Sequence, residues 1–248
     1  MLSGKNLVSC FLRSYFVGAA FNLRGLQNLG LLFALEPGLA QLYRENKADL
    51  LEARHSYMWH FNTHPLWAPL LIGMFLNLEQ HIKRKNMPAE GLITLKNTAC
   101  YTLSAIGDSL FSGSLIPFWG LGLCCLLASG LFWLAAVWAF VWVLLFQVFR
   151  VITFVAGLRY GLGVISRLRD MDIIVWSDRL KILNGCVLAL FVFLVFPLPA
   201  AGMYVFTVML GFGGCAWLVL RRSAPRLLVA ALLFFILNGS ALINYFWA

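Results

Sequence analysis

The first residues whose types and spacing could do chemistry are the two histidines of HFNTHP, residues 60–65. His60 and His64 are four residues apart, so on one helix they would share a face and could chelate a metal ion together with Glu79. However, Pro65 follows His64 directly, and a residue before proline avoids helical geometry. The residues between the histidines also lack the glutamate of an H-E-x-x-H zinc motif. We therefore expect a turn at His64, and neither a metal ion nor another cofactor.

The same hexapeptide also has the composition of a helix start. The side chain of Asn62 or Thr63 can cap the N-terminus of a helix, and Pro65 suits the first turn of that helix. An apolar stretch, LWAPLLIGMFLNL, follows directly. We therefore predict that Asn62, Thr63, His64 and Pro65 form a structural motif at the point where the chain leaves the aqueous side.

Four other polar residues stand in apolar surroundings and could contact a substrate or a partner: Asn22, Gln27, Glu79 and Asp108. Amides and carboxylates hydrogen-bond sugar hydroxyls, and ionisable groups at membrane depth are functional candidates. A structural interpretation stays open for each. Asn22 and Gln27 could join neighbouring helices, and Glu79 could pair with Lys83 one turn later. Asp108 could cap a helix that begins beside it.

Composition sets the class of protein in which these residues must act. Of the 248 residues, 61% are hydrophobic and 12% are charged, and the mean hydropathy is +0.83. Soluble domains average about 45–50% apolar and about 25% charged residues, so the chain is predicted to be a membrane protein. Its formal charge of +9 fits basic cytoplasmic loops that face anionic lipid. We expect no nucleic-acid partner, since no nucleic-acid-binding motif occurs.

The elements that must position these residues follow from the distribution of charge. We predict one membrane domain, 1–248, with an amphipathic helical part, 1–98, and a part with apolar spans, 99–248. No charged residue lies between Asp108 and Arg150, a gap too long for one span of about 20 residues. We predict an all-α membrane protein with N-terminal amphipathic helices, a re-entrant or broken-helix segment and about four transmembrane helices. The broken segment is placed near 108–127, and the spans near 129–156, 182–197, 202–220 and 226–246; two spans between 86 and 159 are the open alternative.

The first sixty residues allow two interpretations of their polar interruptions. In segment 7–35, polar side chains could face a bundle interior or cavity, or the segment could lie in the membrane interface. Segment 36–60 has the mixed charge and apolar spacing of a separate soluble-type helix. By the positive-inside rule, the basic segments 159–181 and 221–226 are predicted to be cytoplasmic.

The chain resembles the enzyme IID subunit of the mannose/fructose/sorbose-family phosphotransferase system, the bacterial sugar permeases energised by phosphoenolpyruvate. The stretches that carry the resemblance are FLRSYFVGAAFNLRGLQNLGLLFALEPGL, LYRENKADLLEARHSYMWHFNTHP, Gly-x-x-Leu-x-Leu-Glu at 73–79, AIGDSLFSGSLIP and FQVFRVITFVAGLRYGLG. The last of these stands in the place of the family's Asn-x-x-Arg and Tyr-Gly pattern. The most specific part is F-N-T-H-P followed by I-G-D-S-L-F, which adds Gly107 to the structural motif.

This resemblance implies a multi-pass, non-catalytic permease subunit of the bacterial inner (cytoplasmic) membrane. Such a subunit pairs with a IIC membrane subunit, and the IIC/IID pairs assemble into a higher oligomer. A hexose-type sugar passes through the pair and is phosphorylated by the soluble IIA and IIB components, which carry the phosphorylated histidines. Under this hypothesis His60 and His64 carry no phosphate.

Three departures from the family pattern support an alternative. The family commonly has an acidic residue and then arginine where this sequence has Arg24 and Gly25, and its Gly-Pro-Leu-Ala-Gly run is YTLSA at 101–105. Where the family has a second acidic residue directly after Leu-Glu, this sequence has Gln80. The alternative is a divergent IID-like protein without transport that acts as a regulatory or structural membrane partner. A third hypothesis is a membrane enzyme with a metal held by His60, His64 and Glu79.

Overall fold

The computed structural model describes residues 2–84, 92–195 and 202–221, together with Pro225 and Val229. Regular structure in these residues is helical, apart from two isolated β-bridges. The predicted all-α class is therefore confirmed. The chain divides into two compact units, Met1–Asp108 with Val143–Ile173, and Ser109–Trp142 with Ile174–Ala248. These boundaries follow contacts, whereas the division at residue 98 follows charge, so that division within one membrane domain stays a prediction.

Short α-helices make up the N-terminal part of the first unit. They are α1 (Gly4–Arg13), α2 (Asn28–Leu42), α3 (Lys47–Ser56), α4 (Ala68–Lys83) and α5 (Leu92–Gly107). Side-chain caps begin two of them: the Ser3 hydroxyl accepts from the backbone N–H of Asn6 at 3.3 Å, and the Asn46 carbonyl accepts from that of Ala48 at 2.9 Å. These two bonds satisfy backbone donors that a helix start leaves free.

The predicted boundary between segments 7–35 and 36–60 is wrong, because α2 runs through it. Leu31, Leu35 and Leu39 follow the helical period and are fully buried, so one apolar face continues across the boundary. Pro37 lies inside this helix and does not end it.

Helix α4 lies at the centre of the first unit and is buried along nearly its whole length. It meets helix α7 (Phe132–Tyr160) at two glycines. A Cβ on Gly73 would lie 2.4 Å from the carbonyl oxygen of Phe154, and one on Gly157 would lie 2.4 Å from the carbonyl oxygen of Leu70. The two backbones are therefore in direct contact, an approach that only glycine allows.

The segment predicted to be broken or re-entrant near 108–127 is helical throughout. After α5 comes a π-helical stretch, Asp108–Leu115, and then α6 (Ile116–Ala128). Pro117 lies in the first turn of α6, where a missing N–H is tolerated, so it does not interrupt the run. The irregularity predicted from sequence takes the form of the π-helical stretch.

Two helices in the described part of the chain are long and apolar enough to cross a membrane, Lys96–Ala128 and Phe132–Tyr160. The second agrees with the span predicted near 129–156. At a rise of 1.5 Å per residue, α7 is about 43 Å long, which exceeds the hydrocarbon thickness of about 30 Å. The total of about four spans stays a prediction.

The second unit contains α9 (Ile173–Val195) and α10 (Gly202–Leu220), preceded in the chain by α8 (Gly163–Asp170) of the first unit. Helix α9 begins nine residues before 182, the predicted start of the first of these spans, and the bounds of that span stay a prediction. Its charged turn is compatible with a helix because Asp178 and Lys181 pair at 3.1 Å. Residues 196–201 of the FPLPAAG turn, and the span predicted near 226–246 apart from Val229, lie outside the described residues.

Candidate functional site

The loop 22–28 holds two of the predicted site residues. The Asn22 carbonyl oxygen accepts from the backbone N–H groups of Arg24 at 3.1 Å and Gly25 at 2.8 Å, and its amide donates to the Leu26 carbonyl at 3.2 Å. An asparagine side chain used in this way replaces part of a backbone turn. Leu26 has φ 57°, a left-handed conformation that costs a non-glycine residue of order 1–3 kcal/mol. Asn22 therefore holds a strained loop in shape.

This loop is bound to the HFNTHP segment by backbone pairing. Gln27 N–H donates to the Phe61 carbonyl at 2.9 Å, and Phe61 N–H donates to the Gly25 carbonyl at 3.1 Å. The Gln27 side-chain carbonyl accepts from the Thr63 N–H at 3.1 Å. Gln27 thus joins the N-terminal loop to the motif. Its structural interpretation was a contact between helices, whereas both of the segments that it joins are loops.

A cavity of about 330 Å³ lies beside the loop. Ser14, Tyr15, Gly18, Gln27, Pro65 and Arg150 are among the residues that line it. Gln27 is the predicted substrate-contact residue that the structure places at this cavity.

Arg150 is a functional candidate that the sequence analysis missed. It is 7% exposed, and its guanidinium carbon lies 3.7 Å from the centroid of the Tyr15 ring. Its Nη2 donates to the Ser14 hydroxyl at 3.4 Å, while Nε has no acceptor within the described ranges. A signal was present, because Arg150 lies inside the span predicted near 129–156, and a charged residue within a span is a functional candidate by default.

Glu79 lies in a separate polar cluster, built with Tyr43, Tyr57 and Lys96. The carboxylate is 1% exposed, and each oxygen accepts one tyrosine hydroxyl, from Tyr43 at 2.6 Å and from Tyr57 at 2.8 Å. Lys96 is fully buried, donates to the Ser56 carbonyl and lies 5.1 Å from the centroid of the Tyr57 ring. The cluster therefore joins α4 to α2, to α5 and to the C-terminal end of α3.

The predicted alternative for Glu79, an ion pair with Lys83, is wrong. Glu79 faces the interior, whereas the Lys83 ammonium lies 5.5 Å from the centroid of the Tyr43 ring. Burial raises the pKa of the Glu79 carboxyl above its usual value, and the tyrosine hydrogen bonds and the Lys96 charge oppose that shift without cancelling it. The two hydroxyls replace the water that a carboxylate loses on burial.

The helix start predicted within HFNTHP is also wrong in position. Helix α4 begins at Ala68, Trp67 occupies the cap position without a side-chain cap, and Pro69 lies in the first turn. Residues 62–64 have no regular structure, and the Thr63 N–H is bound by the Gln27 side chain. The predicted turn at His64 is confirmed, since the His64 carbonyl accepts from the Trp67 N–H at 2.8 Å.

His64 has a defined protonation state in this turn. Its Nδ1 accepts from the Leu66 N–H at 3.3 Å, which requires a neutral imidazole. Burial lowers the pKa of His64, and the nearby Asp108 charge opposes that shift. The histidine is therefore suited to a structural turn, in agreement with its predicted place in the motif.

The two most specific sequence motifs meet at Gly107. A Cβ on Gly107 would lie 2.7 Å from the Cβ of His64 and 2.6 Å from an indole carbon of Trp67. Asp108 follows as the first residue of the π-helical stretch, and its side chain is exposed. Because α5 continues into that stretch, no new helix begins at Asp108, and its predicted capping role is wrong.

A network of small polar side chains in the second unit also escaped the sequence analysis. The Ser109 and Ser114 hydroxyls lie 2.9 and 2.8 Å from that of Ser177. Lys181 donates to the Ser109 hydroxyl at 3.1 Å, and Asn184 donates to the Ser114 carbonyl at 2.9 Å. The π-helical stretch is thereby bonded to α9. Serine and asparagine are common where helices pack in a membrane, so the sequence alone does not indicate a polar network at these positions.

The metal-enzyme hypothesis finds no geometric support in the described part of the chain. No three His, Cys, Asp or Glu side chains there are grouped closely enough to hold a metal ion. Glu79 is occupied by two tyrosines, and the exposed His60 ring lies 6.2 Å from the ring of Tyr101.

Fold and composition together define a helical membrane protein, and the comparisons with known proteins specify which kind. The sequence matches the family described as PTS system mannose/fructose/sorbose family IID component over residues 1–195. It is 29% identical over 117 residues to the PTS system mannose-specific EIID component of Escherichia coli (strain K12), covering 47% of this chain and 41% of that protein. It is 26% identical over 117 residues to the fructose permease IID component of Bacillus subtilis (strain 168), covering 47% and 42%.

The fold is similar to a chain in the cryo-EM structure of the mannose transporter ManYZ in complex with microcin E492. The TM-score is 0.52 at 24% identity, with 97% of this chain and 96% of that chain covered. The family match over residues 1–195 shows that the protein belongs to the IID components of the mannose/fructose/sorbose family of the phosphotransferase system. The sequence match spans about 41% of the length of the mannose-specific relative.

Proposed function

We propose that this chain is the non-catalytic IID subunit of a sugar-transporting phosphotransferase system in the bacterial inner membrane. It spans that membrane several times and forms the translocation unit with a IIC partner, in a higher oligomer of such pairs. Uptake of a hexose-type sugar is coupled to phosphorylation on separate IIA and IIB components. The observation that carries the proposal is the family match over residues 1–195, supported by relatives named for mannose and fructose.

The predicted contact residues take different parts in this proposal. Gln27 lines the cavity, and Asp108 is exposed, so both are available to a sugar or to the IIC partner. Asn22 and Glu79 use their side-chain oxygens within the protein, so they act by positioning the loop and the helices around them.

Uptake by cells tests the transport function. Deletion of the gene should abolish phosphoenolpyruvate-dependent uptake of labelled mannose or fructose, and the wild-type gene should restore it. A Gln27→Ala chain should restore less uptake than a Gln80→Ala chain. Gln80 is the matched control, since its amide donates to the Leu76 carbonyl of its own helix at 3.3 Å. Hexose uptake that is unchanged by the deletion would contradict the proposal.

The alternative of a IID-like protein without transport rests on Arg24, whose side chain is exposed. Co-purification with the IIC partner, followed by sugar binding, separates the two functions. Binding that appears only in Arg24→Glu would favour a chain that kept the fold and lost transport. Binding by the wild-type complex would exclude that alternative.

A further inference from the structure

We propose that the cavity beside the loop 22–28 binds an anion, the phosphate group of a membrane lipid or of a small solute, with Arg150 as its ligand. This site shares Gln27 with the sugar or partner contact proposed above, but binding of an anion does not depend on transport. Arg150 lines the cavity and is 7% exposed, so its charge is almost wholly removed from water.

The charge of Arg150 has no counterpart nearby in the part of the chain that the structure describes. None of the described lining residues is acidic, and the closest polar contact is the neutral hydroxyl of Ser14. An isolated buried cation is costly, and an oxyanion compensates it directly. A neutral sugar would leave the same charge uncompensated, and so the chemistry favours an anion over a hexose.

The geometry of the guanidinium determines how the ligand approaches. Tyr15 covers one face of the group at 3.7 Å, and Nε is buried without an acceptor in the described residues, so the ligand approaches the terminal Nη nitrogens. These two nitrogens present parallel N–H donors of the kind that bind phosphate or carboxylate in a bidentate way.

Two neighbouring groups can complete the site. The Ser14 hydroxyl is already within 3.4 Å of Nη2 and can donate its own hydrogen. The carbonyl of the Gln27 side chain is used by Thr63, so the amide nitrogen is the end left for a ligand. All three donors belong to residues that line one cavity.

The position of Arg150 in α7 fits either source of the phosphate. It lies ten residues before the end of the helix at Tyr160, a distance of about 15 Å along the axis. This position does not distinguish a lipid headgroup from a free ion, so the experiment includes an arm for each source.

Thermal unfolding of the purified chain in nanodiscs tests the site. One arm uses phosphatidylcholine discs titrated with inorganic phosphate, and the other compares phosphatidylglycerol discs with phosphatidylcholine discs without added phosphate. A ligand that binds the native state stabilises it by RT ln(1 + [L]/Kd), so the unfolding temperature rises with ligand concentration. The first arm responds to a free anion and the second to a lipid phosphate whose charge no choline neutralises, and a rise in either supports the site.

The variants assign the response to Arg150. Arg150→Gln should weaken the apparent affinity by about tenfold or more, as expected for loss of charge-assisted hydrogen bonds. Arg159→Gln, an equal charge change at an exposed position of the same helix, should leave the affinity unchanged. Arg150→Lys keeps the charge and should retain a weakened response, and it decides the matter if the glutamine variant does not fold. The proposal is overturned if neither arm responds, or if all variants respond like the wild type.

Discussion

Replacing Tyr57 by phenylalanine tests how the buried Glu79 carboxylate is held. The change removes one hydroxyl from a fully buried ring and nothing else. One carboxylate oxygen then loses its 2.8 Å donor, while the Tyr43 hydroxyl still serves the other oxygen. No water replaces the lost donor, since the Glu79 side chain is 1% exposed.

The size of the effect follows from the charge of the acceptor. A hydrogen bond to a charged group is worth about 1.5–3 kcal/mol. For a protein of this size, 1 kcal/mol corresponds to about 2–4 °C in unfolding temperature, so Tyr57→Phe should lower that temperature by about 3–12 °C.

Differential scanning fluorimetry in detergent measures this shift, with Tyr101→Phe as the matched control. Tyr101 is 60% exposed, and the same change there should shift the unfolding temperature by less than about 2 °C. Equal shifts in the two variants would refute the reasoning, because they would show that the Glu79 carboxylate does not depend on its tyrosine donor.

Three further predictions concern packing and protonation. Gly107→Ala should destabilise the protein by about 1–3 kcal/mol in thermal unfolding, because its Cβ would meet an indole carbon at 2.6 Å, whereas Gly120→Ala meets nothing within 4 Å and should be neutral. Gly73→Ala should lower the stability by at least about 3 kcal/mol, since the backbone carbonyl at 2.4 Å cannot move aside. Its control is Gly163→Ala, where the added methyl meets nothing within 4 Å. Equal stabilities of the two variants in either pair would contradict the close contacts at Gly107 or Gly73. Because burial raises the pKa of Glu79 above 4.5, the native state keeps a proton that the unfolded chain loses, so stability falls as pH rises from 4.5 through the folded-state pKa. Unfolding temperatures measured between about pH 4 and 8 should show this fall in the wild type and lack its Glu79 component in Glu79→Gln; identical pH profiles would contradict it.

The sequence was sufficient for properties that depend on local composition. Continuous apolar runs predict a helical membrane protein, and F-N-T-H-P with I-G-D-S-L-F predicts the family. The turn at His64 follows from one local rule, the avoidance of helical geometry before proline. The structure adds the physical reason for the second motif, which is the space that Gly107 leaves for His64 and Trp67.

Properties that depend on distant residues could not be predicted from the sequence. Lys96 bonds to a carbonyl forty residues away, so no local pattern indicates that it is buried beside Tyr57. The bond between the Gln27 side chain and the Thr63 N–H likewise joins residues 36 apart, so no local pattern indicates it. Arg150 had a local signal, its place within a predicted span, but its contact with Tyr15 joins residues far apart in the chain.

The way in which Asn22 holds its loop has a consequence for how the family can diversify. The turn takes its bonds from the backbone N–H groups of Arg24 and Gly25 and from the Leu26 carbonyl, none of which depends on the side chain at position 24. The charge at that position can therefore reverse without a change in the fold. Single substitutions at position 24 can therefore alter the electrostatic character of the loop 22–28, while the loop's shape depends on Asn22.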